Sequence, residues 1–283
     1  MKIKEVLSNG ISILKQSNIE DGTLKCKILL ADLLDKSKEY LIIHSEDDVD
    51  EKINEIFLEK IERLKNNEPL QYIINKQEFM GFEFYVDKNV LIPQPDTENL
   101  VEEVILISEK IKKDNKDELR ILDMCTGSGA IAISLSKLIK KSLVYASDIS
   151  KKALEIADEN SNKNNSNVLF FESNLFSKIP KIYKFDIIVS NPPYIETETI
   201  KTLSEEVKNE PMLALDGGKD GLDFYRKITE CAKEYLNKDG YLAFEIGYNQ
   251  RIAVENILKE NGYKNVYSRK DLGGNDRIVV GQI

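Results

Sequence analysis

The motif Asn191-Pro192-Pro193-Tyr194 has the residue types needed to hold a planar nitrogen group. The lone pair of an amide or exocyclic amine nitrogen is delocalised, so such a nitrogen is a poor nucleophile and must be aimed. The Asn191 side-chain oxygen and the Pro192 carbonyl can accept its two hydrogens, while the prolines hold both acceptors in place. Tyr194 can stack on the planar group. The motif therefore favours in-line attack on a sulfonium methyl group, which requires a reacting distance of about 3 to 3.5 Å.

The same four residues could simply end a strand, because Asn-Pro is a common turn signal. They follow the apolar run Phe185 to Ser190, which has a buried-strand pattern, and they lie downstream of a glycine-rich loop. Open α/β sheets bind ligands outside the carboxyl ends of their strands. This placement favours a binding role over a simple turn, and it leaves adenine, guanine and glutamine open as the planar group.

The glycine-rich loop follows a predicted strand at Ile121 and leads into a helical pattern. Gly127 and Gly129 let the backbone approach a ligand closely. With Ala132 they match the glycine-x-glycine-x-x-alanine form of a dinucleotide fingerprint, and Asp148 stands at a suitable distance to bind a ribose. Two cofactor classes, nicotinamide dinucleotides and S-adenosylmethionine, are therefore both open here. A tight turn before a capped helix is the structural alternative.

The elements that must position these motifs form a doubly wound α/β domain, because short apolar runs alternate with amphipathic stretches from Arg120 onward. Strands are predicted at Ile121 to Met124, Leu143 to Ser147, Val168 to Phe171, Asp186 to Ser190 and Tyr241 to Ile246. The last two runs, Tyr263 to Ser268 and Arg277 to Gly281, leave no room for a helix between them, so they are predicted to form an antiparallel hairpin at the sheet edge. Residues Asn160 to Asn167 are predicted to be a polar loop.

The first part of the chain has apolar residues at helical spacing, from Ile28 to Leu34 and from Ile53 to Leu64. The pattern then becomes alternating and aromatic from Phe79 to Val86, which predicts a β-hairpin. Asp96 or Thr97 is predicted to cap the following helix. The sequence therefore predicts a helical domain at 1–68, a hairpin linker at 69–95 and the α/β domain at 96–283.

Composition excludes several classes. The 49 acidic and 40 basic side chains give a net charge of -9, so no direct nucleic-acid partner is expected. The three cysteines lack paired spacing and His44 is the sole histidine, so no metal site is expected. The lysine-rich stretch Lys110 to Lys116 is expected to be solvated. No leader segment or membrane-spanning run is evident, so we expect a monomeric cytoplasmic protein without a membrane partner.

Taken together, the motifs resemble the class I methyltransferases, and specifically the release-factor glutamine N5-methyltransferases, over almost the entire chain. The motifs that carry the resemblance are Ile92 to Glu98, Asp123 to Ala132, Asn191 to Tyr194, Glu210 to Leu215, Gly217 to Arg226 and Glu245 to Gly247. The tetrapeptide also occurs in DNA adenine methyltransferases, whereas its combination with Ile92 to Glu98 is more specific. The resemblance implies a Rossmann-like seven-stranded domain, a hairpin linker, and an N-terminal helical domain that binds the substrate protein.

The resemblance also implies the reaction, in which S-adenosylmethionine methylates the glutamine of the Gly-Gly-Gln motif in peptide chain release factors and becomes S-adenosylhomocysteine. It assigns catalysis to Asn191, Pro192 and Tyr194, and substrate binding to these three residues with Pro193. The cofactor-binding residues that it implies are Thr97, Asp123, Cys125, Thr126, Gly127, Ser128, Gly129, Asp148, Ile149, Asn174, Leu175 and Asn191. Of these, Asp148 would hold the ribose and the Asn174-Leu175 pair the adenine.

Three positions depart from the family pattern, since Gln94 replaces the usual arginine, Cys125 the usual glycine and Asn174 a frequent aspartate. Gln94 weakens the expectation of local ion pairs around Asp96 and Glu98. Cys125 is interpreted as a tolerated small residue, because no histidine lies nearby in sequence to activate it. Two other functions stay open: methylation of adenine N6 or guanine N2 in nucleic acid, and a non-catalytic nucleoside-cofactor or nicotinamide-binding module.

Overall fold

The computed structural model describes residues 1–113 and 118–283, which form two compact units. One unit comprises residues 1–76 together with 204–209, and the other comprises 77–203 and 210–283. The lysine-rich stretch expected to be solvated, Lys110 to Lys116, lies partly outside the described residues. Within the described ranges, none of the helices combines the length and apolar character needed to cross a lipid bilayer.

The first unit is helical, as the apolar spacing predicted. Its helices are α1 (Ile3–Gln16), α2 (Gly22–Leu34), α3 (Lys38–Ile43), α4 (Glu51–Lys65) and α5 (Leu70–Ile74). Leu70 and Ile73, three residues apart on α5, are buried in the core of this unit, so the first part of the segment assigned to the linker is helical. The segment 204–209 joins the same unit, where Lys25 Nζ lies 2.7 Å from Glu206 Oε2.

The second unit contains two sheets. Its strands are β1 (Gln77–Phe79), β2 (Phe82–Phe84), β3 (Leu119–Met124), β4 (Ser142–Asp148), β5 (Val168–Glu172), β6 (Phe185–Ser190), β7 (Leu236–Glu245), β8 (Lys264–Lys270) and β9 (Asp276–Gln282). Strands β1 and β2 form the predicted hairpin, and the others form a seven-stranded sheet in the order β5-β4-β3-β6-β7-β9-β8. Strands β3 to β7 run parallel, and the final β8-β9 hairpin is antiparallel, as predicted.

The helices of this unit are α6 (Pro95–Lys113), α7 (Ala130–Leu138), α8 (Lys151–Lys163), α9 (Thr197–Ile200), α10 (Met212–Leu215), α11 (Asp223–Ala232) and α12 (Arg251–Glu260). Helix α6 begins at Pro95, so Asp96 and Thr97 lie in its first turn, and the prediction that either caps it was wrong. The predicted loop at Asn160 to Asn167 was wrong at its start, because α8 extends to Lys163. The buried Asn160 side chain explains this, since it bonds both the N–H and the carbonyl of Tyr85.

The order of the strands creates the ligand edge of the sheet. All six residues of β6 are buried, as expected for a parallel strand covered on both faces. Strands β4 and β5 lie on one side of β3, whereas β6 lies on its other side. The strand order therefore reverses between β3 and β6. Met124 at the end of β3 pairs with Ser190 at the end of β6. The residues that follow these strands, Cys125 and Asn191, therefore emerge side by side.

Candidate active site

A cavity of about 440 Å³ lies at this edge of the sheet, within the range of small-ligand sites. Its wall contains residues from the ends of β3 and β4 and from the loops that follow β5 and β6. Eight of the residues predicted from sequence line it: Cys125, Gly127, Asp148, Ile149, Asn174, Leu175, Asn191 and Pro193. The structure thus brings the glycine-rich loop, the predicted ribose carboxylate and the tetrapeptide together around one space.

The other predicted residues support the wall without lining the cavity: Thr97, Asp123, Thr126, Ser128, Gly129, Pro192 and Tyr194. Thr126 and Ser128 are buried, and Gly129 is the N-cap of α7. Asn160, which no sequence motif identified, donates from its side-chain nitrogen to the Ser128 carbonyl at 3.0 Å. The glycine-rich loop is therefore held from behind by a buried amide of α8.

Asp148 is fixed at the end of β4 by the backbone of two loops. Its Oδ2 accepts from the Gly127 N–H and its Oδ1 from the Ser150 N–H, both at 2.9 Å. Gly127 has a φ of +55°, in the left-handed region that glycine adopts without strain. Burial raises the pKa of Asp148, and the backbone donors counteract that rise. Each carboxylate oxygen keeps a free lone pair, so Asp148 can still accept hydrogen bonds from a diol at the cavity.

Asp123 is fully buried at the end of β3. Its Oδ2 accepts from the Thr126 hydroxyl at 2.5 Å and from the Ala132 N–H at 3.2 Å. Its Oδ1 has no hydrogen-bond partner in the described part of the chain. Burial raises the pKa of Asp123 to about 7, against the opposing effect of these donors. A buried carboxylate oxygen without a donor is costly, so Oδ1 is an unused acceptor close behind the glycine-rich loop.

The tetrapeptide is anchored at both ends. The Asn191 Nδ2 donates to the Thr97 Oγ1 at 3.2 Å, which leaves the Asn191 Oδ1 available as an acceptor at the cavity. The Tyr194 hydroxyl lies 3.5 Å from the Glu245 Oε1. The backbone of Gly217 packs directly on the motif, since a Cβ there would lie 2.6 Å from the Tyr194 Cα. Asn191 and the two prolines are therefore held in a fixed arc.

Cys125 shows why glycine suits its position. Its φ is +63°, in the left-handed region that non-glycine residues seldom adopt. Burial raises the pKa of its thiol, and the carboxylates of Asp148 and Asp123 raise it further. The thiol is therefore protonated at neutral pH and unsuited to act as a nucleophile, in agreement with the sequence interpretation.

Two acidic residues near Gln94 have partners that the sequence did not reveal. Asp96 Oδ2 lies 3.0 Å from Arg277 Nη2 on β9. Arg277 also contacts the buried Asp271, at 3.2 Å. Glu98 Oε1 accepts from the Met80 N–H at 2.6 Å, in the turn of the β1-β2 hairpin. Asp96 therefore has an ion pair despite Gln94, and its partner is a distant arginine that no local pattern identifies.

Glu245 and Gln250 are functional candidates for which the residues alone gave no role. Glu245, at the end of β7, is 2% exposed, and burial raises its pKa to about 7. The Thr97 hydroxyl and the charge of Arg277 oppose that rise by stabilising the ionised form. Gln250 Nε2 donates to the Tyr194 carbonyl at 2.9 Å, and its Oε1 accepts from the Gly247 N–H at 2.9 Å. Both residues thus support the tetrapeptide from behind.

Comparison with known proteins agrees with this architecture. Residues 104–218 match the methyltransferase small domain, and residues 5–74 match the PrmC N-terminal domain. The release factor glutamine methyltransferase of Clostridium acetobutylicum is 42% identical over 284 residues, covering 99% of this chain and 98% of the relative. The corresponding enzyme of Fusobacterium nucleatum is 41% identical over 279 residues, covering 98% and 77%.

Solved structures show the same fold at low identity. A methyltransferase from Pyrococcus furiosus has a TM-score of 0.52 at 20% identity, covering 72% of this chain and 89% of that one. A T. thermophilus 16S rRNA N2 G1207 methyltransferase, in complex with AdoMet and guanosine, has a TM-score of 0.52 at 15% identity, covering 73% and 49%. At these identities the likeness concerns the fold alone, and it confirms the predicted α/β class.

Proposed function

The chain belongs to the family of release factor glutamine methyltransferases, and we propose from this premise that Asn191 and Pro192 hold the substrate amide while a methyl group is transferred to it. The reaction is S-adenosylmethionine-dependent methylation of a release-factor glutamine at its side-chain nitrogen, in the Gly-Gly-Gln motif. The observation that carries the assignment is the 3.2 Å contact of Asn191 Nδ2 with Thr97, because it leaves the Asn191 oxygen as an acceptor at the cavity.

The residues around the cavity fit the cofactor. Asp148 can accept from a ribose diol, and the unpartnered Oδ1 of Asp123 provides a buried acceptor for the amino-acid portion. The Asn174-Leu175 pair lines the same cavity, where it would contact the adenine. When bound, S-adenosylmethionine supplies an electrophilic methyl group on a positively charged sulfur. We assign these residues to holding it.

The acceptor nitrogen needs positioning more than activation. The Asn191 Oδ1 and the Pro192 carbonyl would accept its two hydrogens and aim its lone pair, with the prolines fixing both acceptors. Burial raises the pKa of Tyr194, so its ring is a neutral phenol that can pack on the amide. The nitrogen becomes acidic once it is alkylated, so its proton can leave after transfer without a dedicated base.

The helical unit would bind the release factor. This role fits the match of residues 5–74 to the PrmC N-terminal domain. Helix α3 ends with two exposed apolar side chains, Ile42 and Ile43. Exposed apolar groups of this kind are suited to contact with a protein partner. Because its substrate belongs to the translation machinery, we place the protein in the cytoplasm.

The test is a methylation assay on an intact release factor. Purified protein with S-adenosylmethionine should add one methyl mass to the Gly-Gly-Gln peptide, measured by mass spectrometry. Asn191→Ala should lower turnover by about 100-fold or more, with cofactor affinity from calorimetry largely unchanged. An unmodified release factor in the presence of bound cofactor would contradict the proposal. Methyl transfer to DNA or ribosomal RNA in its place would favour the nucleic-acid alternative.

A further inference from the structure

One wall of the cavity does not come from the ends of the sheet strands. Residues 85–92 are called the wall segment here, because residues 88–91 within it line the cavity. The cavity is also lined by Gly127 of the glycine-rich loop. The wall segment lies between the β1-β2 hairpin and α6 and belongs to none of the helices and strands described above. Its two ends are instead held by side chains.

Asn160 of α8 holds the first end. Its Oδ1 accepts from the Tyr85 N–H at 2.6 Å, and its Nδ2 donates to the Tyr85 carbonyl at 2.9 Å. The same Nδ2 donates to the carbonyl of Ser128, in the glycine-rich loop, at 3.0 Å. Asn160 is fully buried, so water does not compete for these three bonds. One side chain therefore joins the wall segment to the glycine-rich loop.

The three bonds match the chemistry of an amide. The Tyr85 N–H requires an acceptor and the two carbonyls require donors, while an asparagine amide has an acceptor oxygen and two hydrogens on its nitrogen. A reversed amide would set its nitrogen against the Tyr85 N–H and its oxygen against both carbonyls, so the orientation of Asn160 is fixed. A carboxylate has no hydrogen to donate, and a hydroxyl has only one.

Glu210 holds the second end of the wall segment. Its Oε2 accepts from the Ile92 N–H at 3.0 Å. Pro211 and Leu213, which follow Glu210 in the chain, line the cavity. Each end of the wall segment is thus bonded to a side chain that also leads to another part of the cavity wall. Asn160 leads to the glycine-rich loop, and Glu210 leads to the residues at the start of α10.

We propose that Asn160 and Glu210 are positioning residues for the cofactor, which set the distance between the wall segment and the rest of the cavity wall. The proposal rests on the function proposed above, since it takes S-adenosylmethionine as the ligand of this cavity. Neither residue lines the cavity, so neither is a catalytic residue. A gap of about 0.5 to 1 Å already removes a large part of a dispersion contact. The affinity for the cofactor should therefore fall when either bond is lost.

Calorimetric binding of S-adenosylmethionine to Asn160→Leu tests the first end. Leucine is similar in size and removes all three bonds, so we expect the Kd to rise about 10- to 100-fold. Asn162→Leu is the matched control, because Asn162 is exposed on the same helix and its replacement should change the Kd by less than about twofold. In release-factor methylation, Asn160→Leu should raise the KM for S-adenosylmethionine and leave kcat within about threefold of wild type.

The second end is tested by Glu210→Leu and Glu210→Gln. Leucine removes the acceptor of the Ile92 N–H, whereas glutamine keeps an oxygen that can accept this bond. We expect leucine to raise the Kd for S-adenosylmethionine about tenfold and glutamine to recover most of the affinity. If Asn160→Leu does not fold, this pair decides alone.

A purely structural role of these residues would lower the melting temperature and leave the Kd of the folded protein at its wild-type value. A wild-type Kd in folded Asn160→Leu, or equal affinities of the two Glu210 variants, would therefore overturn the inference. The proposed function fails separately, if wild-type protein binds S-adenosylmethionine but leaves the release factor unmodified. Absence of S-adenosylmethionine binding by the wild-type protein would overturn both.

Discussion

The side-chain amide of Gln250 bonds the backbone carbonyl of Tyr194 at 2.9 Å, although the two residues belong to different structural elements. The same Gln250 side chain accepts from the Gly247 N–H at 2.9 Å and from the Tyr225 hydroxyl at 3.3 Å. One largely buried amide therefore connects the end of the tetrapeptide to the turn after β7 and to α11. Since a buried amide makes these bonds only in one orientation, it fixes the path of the chain that leaves the site.

Replacing Gln250 by leucine should destabilise the protein and slow turnover. The change leaves the Tyr194 carbonyl and the Gly247 N–H without their bonds to Gln250, so we expect the free energy of unfolding to fall by about 2 to 4 kcal/mol. Chemical denaturation measures this loss, and kcat reports the loosening of the tetrapeptide. Gln16→Leu is the matched control, because Gln16 is exposed on α1 and should change stability by less than about 0.5 kcal/mol. Equal effects of the two changes would contradict the role of Gln250.

Asp148→Asn should weaken cofactor binding. Both Asp148 oxygens accept from backbone N–H groups, and an asparagine nitrogen would face one of these donors. We expect the Kd for S-adenosylmethionine to rise about 10- to 100-fold, measured by calorimetry. The control is Asp158→Asn on the exposed face of α8, which should leave the Kd unchanged. An unaltered Kd in Asp148→Asn would exclude this carboxylate from the cofactor site.

Arg277→Met should cost more stability than Arg226→Met. Arg277 is 13% exposed and pairs with the 5% exposed Asp271 and with Asp96, so its removal leaves a nearly buried carboxylate unpaired. We expect a loss of about 2 to 3 kcal/mol. Arg226 also pairs with two aspartates, but all three side chains are about half exposed, and a loss below about 1 kcal/mol is expected. Thermal or chemical unfolding of the two variants compares them directly, and a larger loss for Arg226→Met would contradict this ranking.

The stability of the cofactor-free protein should decrease as the pH rises from about 4 to about 7. An unfolded aspartate titrates near about 3.9, whereas burial raises the pKa of Asp123 to about 7 in the folded state. Between these values the folded state binds more protons than the unfolded state, so the free energy of unfolding falls with pH and levels off above 7. Glu245 contributes in the same direction.

Asp123→Asn should reduce this dependence without abolishing it. The asparagine oxygen can accept the bonds from Thr126 and Ala132, and its nitrogen replaces the unpartnered Oδ1. Between pH 5 and pH 8 the raised pKa of Asp123 should cost the wild type about 2 to 3 kcal/mol of stability, and Asp123→Asn should avoid this loss. Urea denaturation at the two pH values measures the difference. A slope identical to that of wild type would show that Asp123 is ionised in both states.

Local patterns predicted the regular elements well. The site lies at the ends of β3 and β6, and the apolar runs of the sequence located both strands. Parallel strands are covered on both faces, so most of their residues are apolar. The β8-β9 hairpin followed from the absence of room for a helix. The start of α6 was misplaced because Pro95 takes its first position, where proline is favoured. The end of α8 was missed because the tertiary bonds of Asn160 override the local loop propensity.

The sequence by itself determined the fold class, the glycine-rich loop, the ribose carboxylate and a tetrapeptide suited to planar nitrogen, since each depends on residue types at short spacing. Only the tertiary structure decided which groups support them. Arg277 pairs with Asp96, and Gln250 bonds Tyr194. The hydrogen bond from Asn191 to Thr97 likewise joins the loop after β6 to α6. Such contacts form only when the helices pack on the sheet, because packing brings distant segments together and excludes water from their polar side chains.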